Sequence, residues 1–199
     1  MIFIYIEQNS FRGNEDMSIF KITLLGDAAV GKTSLRKKFM GLGFKNDYMN
    51  TIGAEFSVYK SKYQDEEVTL HIWDIAGAKN FSSIIRTYYA GTTGAILAFD
   101  IARHDSFVNL SHWISELITN NGRRHVPIIL VGNKSDLRDR VEEPVPIEFG
   151  LAYAQELSDI FGFEVPYVES SALNGNNVHF IFTELIKRIH ETELANALA

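Results

Sequence analysis

The sequence predicts an α/β fold built on a mainly parallel sheet of six strands, with helices on both faces. Three observations carry this expectation. Apolar, β-prone runs alternate with stretches of helical periodicity along the chain. Every candidate chemical motif follows one of those runs, at the carboxyl end of a strand, where ligands of such sheets bind. The 199 residues, with 46% apolar and 12% aromatic content, suffice for one well-cored domain.

The strands are expected near 19–25, 55–61, 67–73, 94–100, 127–132 and 165–169. The second and third are separated only by a turn at Gln64-Asp65, which makes them a hairpin and gives the sheet one antiparallel edge strand. Helices are expected near 32–41, 80–90, 105–120, 147–161 and 176–193. In the third, Phe107, Leu110, Trp113, Ile114, Leu117 and Ile118 recur at helical spacing, which reads as core packing.

Between the first strand and the first helix lies Gly26-Asp27-Ala28-Ala29-Val30-Gly31-Lys32-Thr33, which fits G-x-x-x-x-G-K-[ST]. Its glycines let successive backbone N–H groups face one concavity at a helix N-terminus, where aligned peptide dipoles favour an anion. Lys32 would bring a compact charge to the β/γ-phosphates of a nucleotide, and the Thr33 hydroxyl would hold Mg²⁺, with Ser34 next in line. A glycine turn before a surface helix is the structural alternative. With glycine at about 7% of residues, chance produces the pattern in roughly one chain of this size in a hundred.

Two later motifs strengthen the functional reading. Trp73-Asp74-Ile75-Ala76-Gly77 closes the third strand, placing Asp74 to serve Mg²⁺ and the Gly77 N–H to approach a γ-phosphate. Asn133-Lys134-Ser135-Asp136-Leu137 follows the fifth strand. The Asp136 carboxylate would accept two hydrogen bonds from guanine, and adenine has no matching donor pair, so a site built this way rejects the wrong base by roughly 10⁴–10⁵.

With these motifs in order, the chain resembles a small GTPase of the Ras superfamily, and its Rab branch most. The resemblance runs from about Ser18 to about Glu191. Its Rab character rests on Gly26-Asp27 with Val30 to Leu35, on Thr51-Ile52-Gly53-Ala54-Glu55-Phe56, on Trp73-Asp74, and on Tyr88-Tyr89 with Gly94-Ala95-Ile96-Leu97. The resemblance implies a P-loop G domain with GTP/GDP and Mg²⁺ as its ligands. It implies that Thr51 ligates Mg²⁺ and senses the γ-phosphate, that Phe44 packs edge-on against guanine, and that Tyr48 closes over the phosphates. Glu169-Ser170-Ser171-Ala172-Leu173 is similar to the last guanine-binding motif, with the Ser171-Ala172 backbone at the guanine carbonyl. Effectors, an exchange factor and a GTPase-activating protein are expected at the switch loops, about 44–54 and 76–87. Phe56, Trp73 and Tyr88 match an aromatic effector patch of Rab-like relatives, although aromatic residues at strand and helix ends also serve as half-buried core.

The chain departs from this pattern at three places. Ala78 stands where most relatives carry a glutamine that orients the attacking water, and a methyl group cannot fill that role. Ala28 and Ala29 replace residues that are often glycine and set two methyls near the γ-phosphate, in the path of an arginine supplied by a partner. Leu173 replaces a lysine that covers guanine, keeping apolar contact without the charge. Lys32, Thr51, Gly77 and Ala78 are therefore the positions that set catalysis, and slow intrinsic hydrolysis is expected.

Composition narrows the partners. A formal charge of −6 leaves no basic stripe for nucleic acid. Arg36-Lys37-Lys38 reads as a solvated helix face, and the six histidines show no metal-ligand spacing. The absence of cysteine fits a reducing, cytoplasmic setting and leaves no prenylation site, and Met1-Ile2 gives no myristoylation signal. The expected organisation is an extension over 1–17, either a frayed tail ahead of a start at Met17 or an added strand, then a G domain over 18–193 and a short tail over 194–199. A hydrolysing switch is the leading reading. A non-hydrolysing GTP-binding module or scaffold is the alternative, and a P-loop kinase or ATPase is disfavoured by Asp136.

Overall fold

The computed structural model describes residues 18–42, 51, 53–64, 66–77, 85–122 and 125–198. Its six strands are β1 (Ser18–Leu25), β2 (Ala54–Tyr63), β3 (Glu66–Ile75), β4 (Gly94–Asp100), β5 (Ile128–Asn133) and β6 (Tyr167–Ser170). They form one sheet in the order β2-β3-β1-β4-β5-β6. Only β2 runs antiparallel, pairing Ala54 with Ile75 through Tyr63 with Glu66, while β1 pairs with β3 and β4, β4 with β5, and β5 with β6, all in parallel. The expected hairpin is present. Gln64 takes a left-handed φ of 48° at its turn.

The two-residue period of the strands sorts apolar side chains to opposite faces. Phe20, Ile22 and Leu24 of β1, Ile96 and Ala98 of β4, and Ile129 and Val131 of β5 join one core. Helix α1 (Lys32–Phe39) covers that core with Leu35 and Phe39, and α6 (Val178–Leu198) covers it with Ile181, Phe182, Leu185 and Ile189. The intervening residues Ala95, Leu97 and Phe99, with Ile128 and Leu130, face the second core. That core is roofed by α2 (Ile85–Tyr89), α3 (His104–Val108), α4 (Leu110–Asn120) and α5 (Ile147–Phe161). Strands buried on both faces read as continuous apolar runs, and β4 and β5 are buried along their whole length.

Two helices differ from expectation. The helix expected over 105–120 is two, broken at Asn109, which ends α3 and caps α4. Its side chain is drawn off to a distant acceptor described below, and no glycine or proline marks the break. The expected stripe still packs inward, with Leu110, Trp113, Ile114 and Leu117 buried and Phe107 and Ile118 partly so. Helix α6 runs on to Leu198, through residues read as a tail, because Glu191 to Leu198 contains no helix breaker. Of the helix expected over 80–90, the turns from Ile85 to Tyr89 are helical, and 80–84 lie outside the described residues, as does the extension over 1–17.

A small polar knot ties α2 to α4 beneath the sheet. The buried amide of Asn121 accepts from Thr92 N (3.1 Å) and donates to Thr92 O (3.0 Å). The Thr92 hydroxyl in turn donates to Tyr89 O and pairs with Thr23 Oγ1, each at 2.7 Å. Replacing Asn121 with alanine should cost about 1–3 kcal/mol of unfolding free energy, since it strands two buried backbone groups. Urea denaturation of the two proteins reads this directly, and a loss below a few tenths of a kcal/mol would contradict it.

Candidate functional site

The loop between β1 and α1 is held in shape from three sides. Gly26 (φ 131°) and Gly31 (φ 102°) use conformations closed to most side chains. A Cβ on Gly26 would lie 2.0 Å from Ala98 O, and one on Gly31 would lie 2.2 Å from Asn133 Nδ2. From the β5 side, the buried Asn133 donates to Val30 O (2.8 Å) and accepts from Ser170 Oγ (3.2 Å) and Ala172 N (3.3 Å). One amide therefore joins the phosphate loop to the segment after β6. From the helical side, Asn109 Nδ2 and Trp113 Nε1 each donate to the Asp27 carboxylate at 2.8 Å. Arg103 Nη2 donates to Ala28 O at 2.6 Å.

These last contacts were not legible in the sequence. Trp113 is core by burial but also a donor to the loop, and Arg103 and Asn109 belong to no motif. Ala29 sits at φ 65°, a left-handed position that a glycine would occupy without strain.

At the mouth of the loop the side-chain oxygens of Thr33, Thr51 and Asp74 lie together. Thr33 Oγ1 donates to Asp74 Oδ2 at 2.5 Å and lies 3.1 Å from Thr51 Oγ1. Asp74 is fully buried, and its Oδ1 has no hydrogen-bond partner among the described residues. Burial pushes the Asp74 carboxyl above its ordinary range, opposed by the Thr33 hydroxyl and by the charges of Lys32 and Arg36. Lys32 Nζ, also buried, folds back on Gly26 O (2.6 Å) and Asp27 O (2.8 Å). Burial lowers its pKa to about 8 despite Asp74 and Asp27.

Gly77 closes the far side of this cluster: its carbonyl accepts from Ala28 N at 3.2 Å, and a Cβ there would fall 2.0 Å from Ala28 N. Gly53 O accepts from Ala76 N at 2.8 Å, which seats the segment after Thr51 against the end of β3.

The residues expected from the sequence to recognise a base gather beyond the other flank. Lys134, at φ 67°, pairs with Asp100 Oδ2 at 2.7 Å, and the Asp136 carboxylate accepts from the Ser171 hydroxyl. Leu137 ends a short 3-10 turn (Ser135–Leu137), Ala172 is buried, and Leu173 is half exposed. The first strand, the loop and the strand ends thus bring Gly26 to Ser34, Thr51, Asp74, Gly77, Asn133 to Leu137 and Ser171 to Leu173 to one end of the sheet. Phe44, Tyr48 and Ala78 lie outside the described residues.

One expectation is overturned. Arg36 is not on a solvated face: it is 2% exposed, while Lys37 and Lys38 are partly buried. It lies one turn after Lys32 and Thr33, so the helix points it back under the same cluster.

The Ras family model matches residues 21–191 of the sequence. The chain belongs to the Ras family. Among its curated relatives, "Ras-related protein RABA5a" of Arabidopsis thaliana is 38% identical over 184 residues, covering 91% of this chain and 79% of that protein. "Ras-related protein SEC4" of Saccharomyces cerevisiae is 35% identical, covering 97% and 85%. "Ras-related protein rab-11.1" of Caenorhabditis elegans is 34% identical, covering 91% and 82%. This Ras-family chain is thus a small GTPase with Rab-related homologues across plants, yeast and animals. Among its described residues, no helix is long and apolar enough to cross a membrane.

The Ala29 conformation yields a test specific to this chain. Ala29→Gly should raise stability by about 1 kcal/mol, because relief of the left-handed strain exceeds the added unfolded-state entropy. Thermal melts with and without nucleotide check it, and a lower midpoint for the glycine variant would refute the strain assignment.

Proposed function

We infer that this chain is a Rab-like molecular switch that binds GTP and GDP with Mg²⁺ and hydrolyses GTP slowly on its own. The observation that carries the reading is a run of oxygens beside the phosphate loop, in which the Thr51 hydroxyl meets that of Thr33 and Thr33 donates to the fully buried Asp74 carboxylate. Hard oxygen ligands of this kind, with the Asp74 Oδ1 lacking a hydrogen-bond partner among the described residues, fit Mg²⁺. When bound, the ion would neutralise phosphate charge, held by Thr33, Thr51 and Asp74.

The chain's own residues supply the rest. Backbone N–H groups from Ala28 to Ser34 would cradle the phosphates, and Lys32 would turn from its two carbonyls to the β/γ-phosphates. Thr51 and Gly77 would hold the two switch segments to the γ-phosphate, so that its loss frees both. Asp136 and the Ser171-Ala172-Leu173 segment would select guanine, with Asn133 and Lys134 fixing the loops and Phe44 and Tyr48 enclosing base and phosphates.

An effector would read the segments between. Phe56 packs on Trp73 at 5.0 Å between ring centroids, and Trp73 packs on Tyr88 at 5.8 Å. With Phe56 38% exposed, this row supports an aromatic docking face for effectors, an exchange factor and an activating protein, acting in the cytoplasm.

Ala78 sets the rate in this reading. Single-turnover conversion of bound GTP to GDP should run well below about 10⁻⁴ s⁻¹, the intrinsic scale of the Ras type. Ala78→Gln should restore that scale. A native rate at or above it would show that another group orients the water, and undetectable turnover in both proteins would favour a non-hydrolysing binding module instead.

Lys32 gives a second expectation. Its pKa near 8 without nucleotide means the amine is increasingly neutral above that pH, whereas phosphate favours the charged form. Nucleotide binding should therefore take up about one proton near pH 9 and weaken by up to about tenfold per pH unit above 8. In the nucleotide-free protein the same depressed pKa makes this group's contribution to stability rise with pH between about 8 and 10.5. Calorimetry in two buffers of different ionisation enthalpy counts the proton, and zero uptake near pH 9 would contradict the assignment.

A further inference from the structure

Arg36 is a buried charged residue that stands 3.8 Å from Asp74 and belongs to none of the nucleotide-site motifs. Its side chain, on α1, is 3% exposed. Nη1 donates to Ser57 Oγ, and Nη2 lies 2.6 Å from Glu55 Oε2, both on β2. Its Nε is buried, has no hydrogen-bond partner among the described residues, and faces Asp74 Oδ2 at 3.8 Å. Asp74 Oδ1 is likewise buried without a partner. Glu55, the other anion, is half exposed, so water shares its charge and Arg36 is only partly neutralised by it.

The cluster therefore holds Asp74 and Glu55 against Lys32 and Arg36, two charges of each sign before any ion arrives. A divalent cation on Asp74 meets a buried positive charge on the same carboxylate, and the repulsion is weakly screened there. We propose that Arg36 is a resident counter-ion of the metal site. It faces the Asp74 carboxylate from inside the fold, weakens Mg²⁺ binding there, and so raises the Mg²⁺ concentration needed to slow nucleotide release. The inference rests on the reading of Thr33, Thr51 and Asp74 as the ion's ligands.

The test uses the full chain loaded with a fluorescent GDP analogue, released at graded free Mg²⁺, together with thermal melts in excess GDP with Mg²⁺ or with EDTA. Arg36→Met, which keeps the volume and removes the charge, should lower the Mg²⁺ concentration that half-slows release by about tenfold. It should melt below the native protein in EDTA, where Asp74 loses its counter-ion, and level with or above it in Mg²⁺. Glu55→Gln should move the Mg²⁺ midpoint upward, because Arg36 then bears on Asp74 alone.

A purely structural arginine predicts something different: an equal loss of melting temperature in both conditions and a midpoint shifted by less than about twofold. That result overturns the proposal. Should Arg36→Met fail to fold, an unchanged midpoint in Glu55→Gln overturns it as well. If Mg²⁺ does not slow release from the native protein at all, the ligand assignment itself falls, and this inference with it.

Discussion

A carboxylate lies fully buried at the end of β3, and much of the surrounding structure is arranged to tolerate it. Burying an ionised group costs several kcal/mol unless charges and hydrogen bonds replace its water. Asp74 receives the Thr33 hydroxyl from the start of α1, and Lys32 and Arg36 stand on either side of it. Arg36 carries the demand outward to Glu55 and Ser57, so the edge strand β2 is tied to the first helix as well as to β3. The antiparallel register of β2 places Glu55 directly across from Asp74, which sets the two anions side by side on adjacent strands. One buried acid thus links the phosphate loop, the segment around Thr51 and the strand that leads away from it.

The phosphate loop is braced by groups that are not themselves in contact with where phosphate would sit. Asn133 donates to Val30 and accepts from the turn after β6, so one amide joins the loop after β1 to the turn after β6. On the other side, Asp27 is held by Asn109 and Trp113, and Ala28 by Arg103. The break between α3 and α4 falls at the residue that makes the first of these contacts. The strained Ala29 persists because both flanks of the loop are fixed.

What the sequence disclosed follows from how local each signal was. Glycine spacing, a lysine and a threonine at fixed offsets, and apolar runs ending in Asp74 or Asn133 are all local, and the fold placed them together as the pattern implied. The hairpin was legible because Gln64-Asp65 left no room for a crossover helix. Arg36 was misread because Arg36-Lys37-Lys38 looks like a solvated run, although its spacing of four from Lys32 and three from Thr33 already put it on their face. The Trp113 contact to Asp27 spans 86 residues and leaves no trace in periodicity. Asn109, where the helix breaks without glycine or proline, donates to Asp27 82 residues away, a contact that no local pattern records.

Under the proposed function, Ala78 and Arg36 bear on opposite halves of a switching cycle. Ala78 leaves no side chain to orient water, which would lengthen the time the chain spends with a γ-phosphate. Arg36 sets a buried charge beside the acid that would anchor the metal, which would shorten the time nucleotide is held at a given Mg²⁺ concentration. A protein slow to hydrolyse but quick to release is refilled by whichever nucleotide is abundant, so its occupancy follows the surrounding ratio of GTP to GDP more than its own chemistry. In such a chain the aromatic row of Phe56, Trp73 and Tyr88 would be presented in one state for most of the time. Partners that bind that row would then prolong the state further by mass action, each complex withdrawing the loaded form from the pool that can exchange.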